Sequence, residues 1–138
     1  MTIASSSYSH VRLTVTDIAR SRAFYESVFG WPVFVEVPAD ADAAMREKLA
    51  FLYGGVLYRV GDGLFGLRPV AADSFDENRV GLDHLSFAVS SRADLQDAGR
   101  LLDDLGVEHE DIKDVGHGYI LEFRDPDNIA LELFAPRD

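Results

Sequence analysis

The sequence contains no cysteine, which excludes disulfides and thiolate metal sites. It is also poor in basic residues, since 13 Lys and Arg stand against 24 Asp and Glu, for a formal net charge of −11. That charge opposes binding to nucleic acid or to an anionic membrane surface. It is compatible with a cationic ligand, although solubility alone accounts for it. We therefore expect neither nucleic acid nor a membrane as a partner.

Long apolar runs are missing as well. None approaches the roughly 20 residues that a membrane-spanning helix needs, and residues 1–9 lack the basic and apolar regions of a signal peptide. Together with the absence of cysteine, this predicts a cytoplasmic protein. The chain does have 138 residues, of which 47% are hydrophobic and 11% aromatic. That is enough for one compact domain, 1–138, with a substantial core.

Two similar series of elements follow one another along the chain. In the first, alternating residues 10–15 predict a strand with one apolar and one polar face. A helix over 18–29 ends at Gly30, and residues 38–52 predict a short helix or ordered excursion. A Gly61-Asp62-Gly63 turn predicts a hairpin. The remaining predicted strands of this series cover 31–37, 56–60 and 64–70.

The second series repeats the first. A strand over 82–89 leads into a helix that begins with a capping-box-like pair, Ser91 and Asp94, and closes at Gly106. Further strands are predicted over 107–115, 118–124 and around Glu132. We expect module one to cover about 9–70 and module two about 81–136, joined by a polar linker of about 71–80.

An internal repeat relates the two modules. His10 aligned with His84 superimposes the two first strands without a gap, so the chain reads as two copies of β-α-β-β-β. This predicts an α+β fold: two tandem βαβββ modules, each a curved four-stranded sheet with a helix on one face. The polar faces of the two sheets would enclose a cavity. Glu132 has Leu67 as its counterpart in module one, or Arg68 if the register slips by one.

Glu132 is the central candidate for chemistry. It lies between Leu131 and Leu133, and a carboxylate in such an apolar strand is costly to bury unless a cation or donor meets it. Alternation places it on the predicted cavity face, together with His10 and His84. Two His and one carboxylate leave open coordination positions for a substrate. We therefore predict a divalent ion, Fe, Mn, Ni or Zn; alternatively, the three side chains only hydrogen-bond one another or water.

Five further residues are candidates, each with a structural alternative. His117, between two glycines, is a candidate acid or base, or a solvated turn residue. Tyr119 is a candidate catalytic residue or a strand tyrosine with its ring in the core. Arg12 would contact an anionic substrate or form a structural salt bridge. Trp31 and Tyr58 would line a substrate pocket or pack in the core.

The sequence resembles the vicinal oxygen chelate superfamily, which comprises glyoxalases, extradiol dioxygenases, fosfomycin-resistance enzymes and bleomycin-resistance proteins. The resemblance covers about 9–136 and is specific for the fold. It rests on four motifs: His10-Val-Arg-Leu-Thr-Val, Ala23-Phe-Tyr-Glu-Ser-Val-Phe-Gly30, Leu82-Asp-His-Leu-Ser-Phe-Ala-Val and Phe123-Arg-Asp-Pro-Asp-Asn-Ile-Ala-Leu-Glu-Leu.

The resemblance implies metal ligands at His10, His84 and Glu132. With Leu67 or Arg68 as the fourth position, the chain departs from the four-ligand pattern of glyoxalase I and is similar to the extradiol-dioxygenase triad. The implied function is a metal-dependent lyase, isomerase or dioxygenase acting on a small substrate that offers two neighbouring oxygens. The alternative is a metal-free small-molecule-binding protein of the bleomycin-resistance type. The family also implies a homodimer, sometimes with modules exchanged between chains.

Overall fold

The computed structural model describes residues 1–137. The chain divides between Asp73 and Ser74 into two compact units, each built around one sheet. No helix within the described residues is long and apolar enough to cross a membrane.

The first unit is a four-stranded mixed sheet, sheet one, with a helix between its first two strands. The strand order is β1-β4-β3-β2; β1 runs parallel to β4, and the other neighbours are antiparallel. Its elements are β1 (His10–Thr14), α1 (Ile18–Val28), β2 (Val33–Glu36), α2 (Ala43–Lys48), a 3-10 helix (Ala50–Leu52), β3 (Val56–Val60) and β4 (Gly63–Arg68).

The second unit repeats this topology in sheet two. The strand order is β5-β8-β7-β6, again with one parallel pair, β5 and β8. Its elements are β5 (Leu85–Ala88), α3 (Arg92–Asp104), β6 (Lys113–Asp114), β7 (Gly118–Arg124) and β8 (Ala130–Pro136). The predicted α+β architecture of two βαβββ modules is confirmed.

Local sequence signals set the helix ends. The Asp17 carboxylate caps α1 by accepting from the Arg20 amide, and Ser91 with Asp94 forms the predicted capping box of α3. Gly30 and Gly106 follow the two helices with positive φ angles of 64° and 71°, which glycine adopts without a steric penalty.

Each sheet has one face packed against its helix. In sheet one the ring of Tyr25 from α1 lies 5.0 Å from that of Phe65 in β4, and both residues are buried. In β8, Leu131 and Leu133 are buried while their neighbours are partly exposed, as the alternation predicts. We call the opposite face of each sheet its polar face. Its strand residues in sheet one include His10, Arg12, Thr14, Leu57, Arg59, Leu64, Gly66 and Arg68; in sheet two they include Ser86, Ala88, Ile120, Glu122, Ala130, Glu132 and Phe134.

The strand register corrects one predicted equivalence. Glu132 pairs with Ser86, whereas Arg12, the repeat equivalent of Ser86, pairs with Gly66. The counterpart of Glu132 in module one is therefore Gly66, and neither Leu67 nor Arg68. The predicted counterpart, Leu67, is one residue away from the observed one, because the pairing of β1 with β4 sets the register.

A second difference concerns the predicted strand over 107–115. Only Lys113 and Asp114 form β6, and His109 makes an isolated bridge to Phe123. The imidazole of His109 instead binds the Glu110 carbonyl and the Asp103 carboxylate, at 2.7 and 3.1 Å. These side-chain bonds hold the segment against the end of α3.

Candidate metal centre

Two of the predicted ligands meet on the polar face of sheet two. His84 directly precedes β5, and Glu132 lies at the middle of the neighbouring parallel strand β8. The His84 Nε2 atom is 3.7 Å from Oε2 of Glu132. We call these two residues the candidate metal pair.

Each member of the pair is held by a second polar group. The Nδ1 atom of His84 lies 2.5 Å from a carboxylate oxygen of Asp83, and the Ser86 hydroxyl donates to Oε1 of Glu132 at 2.7 Å. Asp83 raises the pKa of His84 by accepting from its ring, and the nearby charge of Glu132 adds to this effect. With Nδ1 held by Asp83, Nε2 and Oε2 are the atoms directed at each other.

The pair has the chemistry that a divalent ion needs. The 3.7 Å between His84 Nε2 and Glu132 Oε2 is too long for a hydrogen bond. A gap therefore separates these two potential metal-binding atoms. Histidines that bind metals commonly donate their other ring nitrogen to a carboxylate, as His84 does to Asp83. Only 14% of the Glu132 side chain is exposed, so its negative charge favours a cationic partner.

The third predicted ligand, His10, lies at the start of β1 in the first unit. Its Nδ1 atom is 3.0 Å from the Ser9 hydroxyl, and the residue is exposed. Within residues 1–137, no group of three or more His, Asp or Glu side chains is placed to hold a metal ion. Within the second unit, two of the three predicted metal ligands, His84 and Glu132, lie side by side.

The rings of His117 and Tyr119 have different neighbours in the second unit. The His117 ring is 5.2 Å from that of Phe134, which lies two residues beyond Glu132 on the polar face. Tyr119 pairs with buried Ala135 on the helix face. Its ring lies 4.9 Å from two guanidinium carbons, those of Arg92 in α3 and of Arg137. Of these two residues, His117 is the one whose ring contacts a residue of the polar face.

Trp31 and Tyr58 lie on the helix side of sheet one. The Trp31 ring stacks on Phe29 at 4.2 Å, and the Tyr58 side chain is fully buried. The Tyr58 hydroxyl donates to Glu26 of α1 at 3.2 Å. Burial and the Glu26 charge both raise the pKa of Tyr58. These contacts agree with the alternative in which both residues pack in the core, and not with a substrate pocket on the face that carries Arg12.

Arg12 lies on the polar face of sheet one with its stem over Gly66. A Cβ at Gly66 would stand 2.4 Å from Cδ2 of Leu57 and 2.9 Å from Cγ of Arg12, so both side chains lie close over this glycine. The guanidinium donates to the Phe51 carbonyl at 2.6 Å, whereas the buried Nε has no hydrogen-bond partner within residues 1–137. No salt bridge of the kind predicted for Arg12 is formed within those residues.

Sequence reasoning missed Asp83 and did not assign a role to Ser86. Both were readable: Asp83 is the immediate neighbour of His84, and Ser86 lies two positions further along the same strand face. An acid next to a candidate histidine, and a hydroxyl in register with a candidate carboxylate, are the signals that point to them.

Comparisons with known proteins agree with this architecture. The family model described as the glyoxalase/bleomycin resistance protein/dioxygenase superfamily matches residues 7–133. No curated protein sequence matches the chain. A glyoxylase/bleomycin resistance protein/dioxygenase domain from Frankia sp. EAN1pec superimposes with a TM-score of 0.77 at 32% identity, covering 98% of this chain and 95% of that one.

Two more distant structures share the fold. One is a mutant of the genomically encoded fosfomycin resistance protein FosX from Listeria monocytogenes, complexed with Mn(II) and 1S,2S-dihydroxypropylphosphonic acid. Its TM-score is 0.73 at 21% identity, over 97% of this chain and 95% of that one. The other is a lactoylglutathione lyase from Agrobacterium tumefaciens, with a TM-score of 0.70 at 20% identity, over 95% and 94% of the two chains.

Proposed function

Because the chain belongs to the glyoxalase/bleomycin resistance protein/dioxygenase superfamily, we propose that it is a divalent-metal-dependent enzyme acting on a small organic molecule. The observation that supports this most is the candidate metal pair. A nitrogen and a carboxylate oxygen face each other across a gap, and each is held in place by a polar neighbour.

The residues of sheet two have distinct roles in this proposal. His84 Nε2 and Glu132 Oε2 are ligands, Asp83 fixes the orientation of the imidazole, and Ser86 fixes that of the carboxylate. His10 is the proposed third ligand, supplied by the same chain or by a second copy. When bound, the ion would act as a Lewis acid toward two neighbouring oxygens of the substrate. Imidazole and carboxylate donors suit Fe, Mn, Ni or Zn.

His117 is the proposed acid or base. It is exposed, and its ring lies beside that of Phe134, which shares the polar face with Glu132. An imidazole can accept a proton from a bound substrate or donate one to it. Tyr119 has no part in this proposal, because its ring lies on the helix face between two arginines. Lyase, isomerase and dioxygenase chemistry remain alternatives.

A metal-free binding protein of the bleomycin-resistance type is the second candidate function. One observation favours it: the Ser86 hydroxyl already provides Glu132 with one hydrogen bond, so the carboxylate does not depend on an ion alone. A homodimer and a cytoplasmic location are predictions from the sequence that accompany either function.

Metal analysis of protein purified without chelator separates the two functions. We expect about one metal ion per site, lost in His84→Ala and Glu132→Gln. The matched control is Glu122→Gln, which removes a carboxylate from the same polar face in register with Glu132. Glu122 is bound by Lys113 at 2.7 Å, so its variant should retain the metal. Wild-type protein that stays metal-free after incubation with Mn, Fe, Ni and Zn would instead support the binding protein.

A further inference from the structure

The polar face of sheet one carries an unusual charge for this chain. Its strand residues include Arg12, Arg59 and Arg68 and no Asp or Glu, although the whole chain has a net charge of −11. None of the three arginines forms an ion pair in the part of the chain that the structure describes. Elsewhere arginines do pair with acids, as Arg124 does with Glu77 at 2.5 Å.

Aromatic rings, rather than carboxylates, pack against these guanidinium groups. The Arg12 and Arg68 guanidinium carbons lie 5.9 and 4.2 Å from the ring centroids of Phe51 and Tyr53. Phe51 and Tyr53 are 50% and 56% exposed, so each ring keeps a surface that a ligand could contact. Cation–π packing positions a guanidinium without neutralising its charge. Arg12 and Arg68 therefore remain available to an anion.

The backbone is shaped to hold Arg12 in this position. Gly66 is buried beneath its stem, and a side chain there would displace Leu57 or Arg12. The Phe51 carbonyl accepts one hydrogen bond from the guanidinium, but the buried Nε has no partner within residues 1–137.

Arg68 lies on the same face as Arg12, two residues along β4 from Gly66. Thr14 is its direct neighbour on β1 and offers a hydroxyl on that face. Arg12 and Arg68 are both half-buried, which strengthens their charge–charge interactions relative to those of a solvated side chain. Arg59 differs, because it is exposed and its guanidinium lies over Phe34, at 4.8 Å.

We propose that Arg12 and Arg68 form a binding site for the carboxylate, phosphonate or phosphate group of a small organic anion, whose apolar part contacts Phe51 and Tyr53. Guanidinium groups bind such oxyanions with two parallel hydrogen bonds. The site lies wholly within the first unit and requires no metal. It therefore does not depend on the candidate metal pair.

Calorimetric titration of the full-length protein tests this site, with phenylphosphonate, benzoate and inorganic phosphate as probes. We expect saturable binding that is tighter for phenylphosphonate than for phosphate, since only the former has a ring for Phe51 and Tyr53. Arg12→Met keeps an unbranched stem over Gly66 and should weaken binding at least about tenfold, the usual scale for a charge-assisted pair. Arg68→Met should do the same.

Arg59→Met is the matched control, because it removes the same charge from the same face. We expect this variant to bind the probes with an affinity within about twofold of wild type, because an exposed charge that does not contact the ligand is screened by salt. If Arg12→Met fails to fold, the effect of Arg68→Met on probe affinity tests the site. Repeating the titration in Glu132→Gln separates this site from the metal proposal, and the affinity should not change.

Three outcomes would overturn the proposal. The first is the absence of saturable binding of all three probes by folded wild-type protein. The second is equal weakening by Arg59→Met and Arg12→Met, which would indicate non-specific attraction. The third is Arg12-dependent binding of a single-stranded oligonucleotide without binding of the small anions, which would assign this face to a macromolecule.

Discussion

Tyr58→Phe should lower stability and leave ligand binding unchanged, because the Tyr58 hydroxyl serves the fold. Its ring is fully buried on the helix side of sheet one, and its hydroxyl donates to Glu26 at 3.2 Å. The substitution removes this one bond and leaves no cavity larger than an oxygen atom. A bond to a charged acceptor contributes about 1.5–3 kcal/mol in the general case. Since Arg22 still binds Glu26 at 2.9 Å, we expect a loss at or slightly below the lower bound, about 1–1.5 kcal/mol.

Urea denaturation and thermal melting measure this loss, which corresponds to about 4 °C in Tm for a domain of this size. The control is Tyr53→Phe, which makes the same chemical change at a tyrosine that is 56% exposed and should alter the free energy of unfolding by less than about 0.5 kcal/mol. Unchanged stability of Tyr58→Phe would refute the reasoning. A selective loss of ligand affinity would restore the substrate-binding role predicted from the sequence.

Three further predictions concern other parts of the molecule. Ser86→Ala removes one of the bonds that hold the candidate metal pair and should weaken Mn(II) affinity about tenfold, measured by competition with a fluorescent chelator; an unchanged affinity would contradict its positioning role. Gly55→Ala should cost at least about 2 kcal/mol, since a Cβ there would overlap the backbone carbonyl of Leu67, and urea denaturation should show it; a stability equal to wild type would contradict this close approach. The pKa of His109 is raised by the carbonyl of the next residue and by Asp103, so its contribution is complete below its unfolded pKa of about 6.5 and is lost as pH rises through the folded value. His109→Gln should therefore destabilise the protein by about 1 kcal/mol at pH 5.5 and by less at pH 8.5, and an equal effect at both pH values would argue against the charged pair.

The fold could be read from the sequence because its signals are local and occur twice. The predicted strands over 56–60 and 118–124 coincide with β3 and β7, and the capping box at Ser91 marks the start of α3. Hydrophobic alternation correctly separated Leu131 and Leu133 from Glu132. These features depend on neighbouring residues, which a single sequence displays directly.

Features that depend on distant pairing were not readable. The position equivalent to Glu132 is Gly66, since the β1–β4 register, and not the hairpin turn, determines it. The facing of Trp31 and Tyr58 followed from their packing against α1, which alternation alone does not specify. The metal-binding role predicted for His10 also depends on residues far away in the sequence, so the residues around His10 do not determine it.

Anomalous diffraction at the manganese edge, from crystals grown with Mn(II), tests the central claim most directly. The account predicts one strong peak at about 2.0–2.3 Å from both His84 Nε2 and a carboxylate oxygen of Glu132, with a third protein ligand completing the site. A fully occupied peak at other acidic residues, with His84 and Glu132 bound only to each other or to water, would contradict it.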